Sequence, residues 1–250
     1  MGVELQYLGW SCFLIQAGGK RVLVDPHLAG YPESGVQPSP LQVGDLANVD
    51  AVCVTHAAAD HYGATSEVAL KSGAIVCGGI DSRLRAIEAG VPEAQTAVLV
   101  SGATYQGDGW SVKALEAKHI SFSQINGAYL TGQPLCYLFD FDGVRIFHGG
   151  DTSISTDFQL FGELYRPQVA IVGVDGVLFG GRPIVELDAR EAAFLVQMLG
   201  AQIAIPMHYR PESGQADAFL ESMRSISPQV DARKLEIGET MTLGVGELVA

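Results

Sequence analysis

The chain has 250 residues, 48% hydrophobic and 17% charged, which supports one large folded core and excludes a disordered chain. Lys and Arg number 15 against 28 Asp and Glu, and the resulting charge of −13 repels phosphate backbones and anionic membranes. Neither a nucleic acid nor a membrane is therefore an expected partner, and no apolar run approaches the roughly 18 residues of a membrane-crossing helix.

The chain opens with strand-like runs at 3–8, 12–16 and 21–25, separated by Gly9 and by the Gly18-Gly19 pair, and reads as an antiparallel meander. No basic segment followed by a long apolar stretch precedes it, so no secretory leader is expected and the expected location is cytoplasmic. Residues 31–40 hold three Pro and Gly35 and read as a surface loop or lid. Further strand-like runs lie at 51–55, 74–77, 97–100, 111–117, 135–141, 144–147, 169–172 and 202–205, with Asp142-Gly143 as a hairpin turn. Helices are expected at 64–71, at 82–89 with Asp81 as its cap, at 189–199 and at 214–225. Asp188 and Glu191 make a capping box for the third of these, and Gly200 ends it. Strands first, then strands alternating with helices, predict an α/β fold with sheets covered by helices on their outer faces. No linker divides the chain, so one domain over 1–250 is expected. The four Cys are scattered without a CxxC and read as reduced core thiols.

The segment Thr55-His56-Ala57-Ala58-Ala59-Asp60-His61 carries the chemistry. Two His and one Asp within six positions, on a loop at a strand end, are a ligand set for a first-row metal ion. His119, His148, Asp151 and His208 also lie at or just beyond strand-like runs, and strand ends along one sheet edge converge in space.

Together these residues resemble the metallo-β-lactamase superfamily. Thr55–His61 is similar to its H-x-H-x-D-H signature, and His119, His148-Gly149-Gly150-Asp151-Thr152 and Pro206-Met207-His208-Tyr209 follow in the order of its other ligands. Val24-Asp25-Pro26 and the Gly162-to-Pro167 segment look most like the small metal-dependent hydrolases related to L-ascorbate-6-phosphate lactonase. The resemblance implies a four-layer αββα sandwich with metal sites at one edge. His56 and His119 would bind the first ion, Asp60, His61 and His208 the second, and Asp151 would bridge the two. Asp60 and Asp151 become the catalytic carboxylates. The cofactor implied is a divalent metal, Zn2+ with Mn2+ as the alternative, one or two per chain, activating water against a small lactone, ester, amide or phosphoester. The expected partner is a small-molecule substrate, and a homo-oligomer is left open.

The chain departs from the pattern at one place: the superfamily's second His falls on Ala58. Three readings remain open, namely a His→Ala change that silences catalysis, a single-metal enzyme, and a gap filled by another group, for which His27 is the candidate. A metal-poor member acting as a small-anion binding or regulatory protein is the alternative function. Asp25, His148 and Tyr209 are candidates to support the ligands or the leaving group, with core packing as the competing reading for Tyr209. Trp10 lines the pocket or packs. Arg182 and Arg210 are candidate anion contacts, with a solvated surface Arg as the competing reading for each.

Overall fold

A computed structural model describes residues 2–179 and 182–244, excluding the side chains of 177–184. Two seven-stranded mixed sheets carry the architecture. The first runs in the order Thr240–Leu243, Val3–Gly9, Cys12–Ala17, Lys20–Val24, Ala51–Val54, Ile75–Gly78, Thr96–Val98. Its opening strands pair antiparallel, as the short turns at Gly9 and Gly18-Gly19 require, and those from Lys20 onward pair parallel. The second runs Asp231–Ala232, Ile203–Met207, Val169–Gly173, Val144–His148, Leu135–Phe141, Ser111–Glu116, Thr104–Gln106.

The sheets pack face to face. Phe13, Val24 and Cys53 of the first share a buried cluster with Tyr137, Phe139, Ile146, Ile171 and Ile205 of the second. Each outer face is covered in turn. Helices Thr65–Ser72 and Ile80–Glu88 put Val68, Ala69 and Ala86 against the first sheet. Helices Asp157–Tyr165, Ala189–Leu199 and Gln215–Ile226 put Phe158, Leu195, Val196 and Phe219 against the second. The four-layer αββα sandwich expected from the sequence is the observed fold.

Strand direction explains where the site falls. Lys20–Val24 and Ala51–Val54 are parallel, so Asp25 and Thr55 emerge at the same edge. Val144–His148 and Ile203–Met207 both run parallel to Val169–Gly173, which brings Asp151 and His208 together. Ser111–Glu116 lies two antiparallel steps from Val144–His148 and so points the same way, delivering His119. The Tyr137 hydroxyl donates to Val54 O across the core at 2.6 Å, pinning the two sheets just below the His-rich loop.

Several local expectations are corrected. Gly79, not Asp81, precedes the helix Ile80–Glu88. Asp81 is fully buried and accepts from the Ser121 hydroxyl, and a Cβ on Gly132 would collide with its carboxylate. The helix Asp157–Tyr165 is additional to the four helices expected from the sequence. Ser121–Ile125 and Ala128–Gly132 form a separate hairpin about Asn126-Gly127, both at positive φ. That dipeptide is a strong short hairpin signal in a stretch for which no element is expected above. The capping box at Asp188 and Glu191 is present, with Gly200 closing the helix in the left-handed region. All four Cys are buried and free. Among the described residues no helix is long and apolar enough to cross a membrane.

Candidate metal centre

The loop after Ala51–Val54 turns into a single helical turn, Ala59–Tyr62, and presents His56, Asp60 and His61 inward, all buried. Asp151 follows a tight turn at Gly149-Gly150. A Cβ on Gly150, at φ +54°, would come within 2.9 Å of the Thr55 side chain, so only glycine permits this approach of the two loops. His208 sits at φ 53°, a conformation non-glycine residues seldom adopt, and its N–H donates to Trp10 O at 3.1 Å. Strain of this kind, held by surrounding contacts, is common at functional positions.

One oxygen organises the centre. Asp151 Oδ2 lies 3.2 Å from His61 Nε2, 3.3 Å from His208 Nε2, and 3.9 Å from both His56 Nε2 and His119 Nε2. Asp60 Oδ2 lies 3.4 Å from His208 Nε2 and 3.8 Å from His61 Nε2. Two groups result, Asp60-His61-Asp151-His208 and His56-His119-Asp151, each with donor atoms all within 4.8 Å of one another.

The donors fit an ion better than they fit each other. His56 Nε2, His61 Nε2 and His208 Nε2 are buried without a hydrogen-bond partner among the described residues, although carboxylates stand nearby. A buried polar nitrogen left unpaired is costly, about 1–3 kcal/mol. Bonds of ~2.0–2.1 Å at tetrahedral angles would separate neighbouring donors by roughly 3.3 Å. The separations around Asp60, His61, Asp151 and His208 span that value, whereas those around His56 and His119 are looser.

The surrounding groups fix the rings. Asp25, fully buried and at positive φ, accepts from Thr55 N at 2.8 Å and Thr55 Oγ1 at 2.7 Å. Its Oδ2 lies 2.8 Å from His61 Nδ1, which leaves His61 Nε2 facing the centre. A carboxylate behind a ligating imidazole sets its tautomer and raises its basicity. His148 donates from Nε2 to Ser11 O at 3.0 Å and accepts the Gly150 N–H at Nδ1, 3.2 Å. It holds the turn that presents Asp151 and does not enter either group. Trp10 Nε1 donates to Asp60 Oδ2 at 3.2 Å, and its ring lies 4.1 Å from that of His208.

Burial, reinforced by the neighbouring His61, drives the His56 pKa down to about 3 and keeps the ring neutral. Burial also penalises charge on His208, but Asp151 and Asp60 outweigh it and push the ring up to about 10. His61 is likewise held well above its ordinary value by Asp151, Asp25 and Asp60 against the pull of burial. Asp151 and Asp60 lie below the usual carboxylate range because His208 and His61 overcome their desolvation.

A pocket of about 620 Å³ opens onto this centre, within the range of small-molecule sites. Ala57, Ala58, Arg85, His119 and Glu186 line it, with Ile120, Phe122 and Tyr129 around the hairpin. Glu186 and Arg85 were not singled out in the sequence, where one is a lone acid in a loop and the other one of several helical cations. Glu186 Oε1 stands 3.9 Å from His119 Nδ1, and burial with Asp151 nearby pushes its carboxyl up to about 7.

Other expectations are redirected. His27 is not brought to His56: its Nε2 lies 3.0 Å from Gly30 O and its ring packs on Tyr31. Arg210 is taken by Asp175, with contacts of 3.0–3.2 Å, and is no free anion contact. Tyr209 packs beside the second sheet's outer cluster and lines a different cavity with Tyr7 and Glu236. The Arg182 side chain lies outside the described residues.

An αββα sandwich with a His and Asp centre at one sheet edge defines the metallo-β-lactamase fold. A family description, Beta-lactamase superfamily domain, matches residues 4–208. The UPF0173 metal-dependent hydrolase of Thermococcus kodakarensis is 33% identical over 242 residues, covering 96% of this chain and 100% of the relative. Igni18, a metallo hydrolase of the archaeon Ignicoccus hospitalis, superposes with a TM-score of 0.80 at 24% identity, covering 98% of this chain and 99% of that one. An isothiocyanate hydrolase from Delia radicum gut bacteria shares the fold at TM-score 0.72 and 18% identity, covering 95% and 98%. The chain belongs to the β-lactamase superfamily, among its UPF0173 metal-dependent hydrolases.

Proposed function

We propose that the protein hydrolyses a small lactone, ester, amide or phosphoester with a water activated at the Asp60-His61-Asp151-His208 centre. The observation that carries this reading is the set of buried, unpartnered ring nitrogens gathered on Asp151 Oδ2. A divalent ion bound there, Zn2+ or Mn2+, would supply Lewis acidity and lower the pKa of its water toward neutrality. Asp60 would orient the attacking water, held in place by the Trp10 N–H. Asp25 would keep His61 Nε2 directed inward, and His148 would hold the turn carrying Asp151. His56, neutral through burial, and His119 would complete a weaker second site that lacks one imidazole because position 58 is Ala.

Small lactones fit the resemblance to the ascorbate-6-phosphate lactonase branch. A metal-poor binding protein draws support from Ala58 alone, and the intact four-donor group argues against it.

The test is metal content per chain for this protein and for Ala58→His, with lactone and ester turnover followed in parallel. The expected outcome is about one ion per chain, rising toward two in Ala58→His. A gain of turnover with the second ion identifies Ala58 as a silencing residue. Turnover already present and unchanged by the substitution identifies a single-metal design. Protein that binds no metal and hydrolyses nothing overturns the proposal.

A further inference from the structure

Arg85 is the cation of the pocket, and its surroundings are unusual for one. It reaches from the helix Ile80–Glu88 to the His-rich loop, where Nη1 donates to Ala57 O at 2.8 Å. Its guanidinium carbon stands 4.1 Å from the centroid of the Tyr62 ring. Both contacts fix its position one residue from His56 and from Ala58. Burial lowers its pKa from the ordinary value, so the guanidinium is partly stripped of water.

Glu88, three residues on in the same helix, offsets part of that burial at longer range. Among the described residues no acidic side chain forms an ion pair with Arg85, whereas Arg83, Arg210 and Arg233 are paired with Glu93, Asp175 and Asp231. A guanidinium has five donors in a rigid fork, and Ala57 O engages one. A half-buried cation in a protein of charge −13, fixed in place and without an ion pair among the described residues, has donors to offer an anionic ligand.

The part of the lining that comes from and just before the hairpin has a different character. Ile120 and Tyr129 are 66% and 75% exposed, and Phe122 faces Tyr129 with ring centroids 6.4 Å apart. Apolar side chains that line a pocket and remain open to water gain by covering the apolar part of a ligand. Ala58, with no side chain beyond Cβ, lines the same pocket.

Resting on the hydrolase reading above, we propose that Arg85 with Ile120, Phe122 and Tyr129 forms a subsite for the non-reacting part of the substrate: an anionic oxygen group, carboxylate or phosphate-like, carried on a short apolar body. The fork would take two oxygens of the anion side by side, and the apolar body would lie against the hairpin. Arg85 is then a specificity residue, acting on which compounds reach the metal centre and not on the bond cleaved.

Binding tests this without turnover. Phenylacetate, phenylphosphonate and the neutral isostere phenylacetamide are titrated calorimetrically into the metal-loaded protein and into Arg85→Gln and Arg85→Lys, with metal content measured for each. At least one anion is expected to bind about tenfold or more tightly than the amide, the scale of a charge-assisted hydrogen bond. The preferred anion separates carboxylate from phosphate. Arg85→Gln keeps a donor for Ala57 O and is expected to bring the ratio to about one, while Arg85→Lys retains part of it. Tyr129→Ala, at an exposed position that cannot threaten the fold, is expected to weaken all three probes alike by roughly threefold to tenfold. A preference that survives Arg85→Gln means the metal holds the anion, and it overturns the proposal. An unsubstituted protein without preference overturns it too, as does a Tyr129→Ala variant that binds unchanged. Failure of the hydrolase reading would show instead as absent turnover across lactones and esters, whatever these ratios are.

Discussion

Around Asp60, His61 and His208 every donor is buried and His61 is buttressed from behind by Asp25, whereas around His56 and His119 one ring is partly exposed and one position is empty of nitrogen. His61 Nδ1 has Asp25 at 2.8 Å, and His119 Nδ1 has Glu186 at 3.9 Å. The two groups share Asp151 and so share an edge of the same sheet, yet they differ in how much protein is committed to holding each ring still. An ion binds most tightly where donors are fixed before it arrives, because less order is then lost on binding. Burial and the carboxylate behind His61, more than the count of His residues, rank the two sites.

Removing what they share has the largest effect. Asp151→Ala takes a ligand from both groups and leaves His61 Nε2 and His208 Nε2 without the carboxylate nearest to each, so metal affinity is expected to fall by on the order of a thousandfold or more. Dialysed protein would then hold almost no ion by elemental analysis. Retention of one ion per chain would mean that the tighter group does not depend on Asp151. Asp25→Asn sharpens the comparison, since it touches only one side. Affinity at the tighter site should drop roughly 10–100-fold, with occupancy of the weaker site in Ala58→His unchanged. Equal losses at both would show that Asp25 supports the whole edge and not His61 alone.

The smallest effect is a pH dependence. In the metal-free centre Asp151 and Asp60 hold His208 protonated up to about 10, against the influence of burial, and His61 is raised in the same direction. An incoming cation displaces those protons. Apparent affinity should therefore rise with pH, about tenfold per unit for each proton displaced, until pH passes the raised pKa of His208. His56 adds nothing to the slope near neutrality, because burial keeps it neutral down to about 3. Calorimetry in buffers of different ionisation enthalpy counts the protons. Uptake without proton release would place the ion at His56 and His119 instead.

The sandwich was legible because its signals are local. Alternating and continuous apolar runs mark strands, and the capping box at Asp188 with Gly200 frames a helix. The ligand cluster was legible because His56, Asp60 and His61 are close in the chain and the remaining donors each follow a strand. Glu186 and Arg85 were not, since their meaning depends on which loop and which helix pass the pocket mouth. Arg210 and Asp175, 35 positions apart, carry no marker that they pair. Asp81 misled for the same reason: a carboxylate ahead of a helix reads as a cap until the hairpin 40 residues later claims it.

That hairpin, Ser121–Ile125 with Ala128–Gly132, pairs only with itself and is fastened at its base through Ser121, Asp81 and the tight approach of Gly132. Ser121 Oγ also accepts the Ala57 N–H at 3.0 Å, so the fastening reaches the metal loop. The hairpin's turn is tied as well, Asn126 N donating to Glu88 Oε1 at 2.8 Å, and the ribbon's residues belong to neither large sheet. Substitutions at Phe122 or Tyr129 can accumulate without shifting a strand register or disturbing a ligand. If the proposed subsite holds, a lineage carrying this scaffold can exchange one substrate for another by drift at a few exposed positions of the ribbon, while the metal centre is inherited intact.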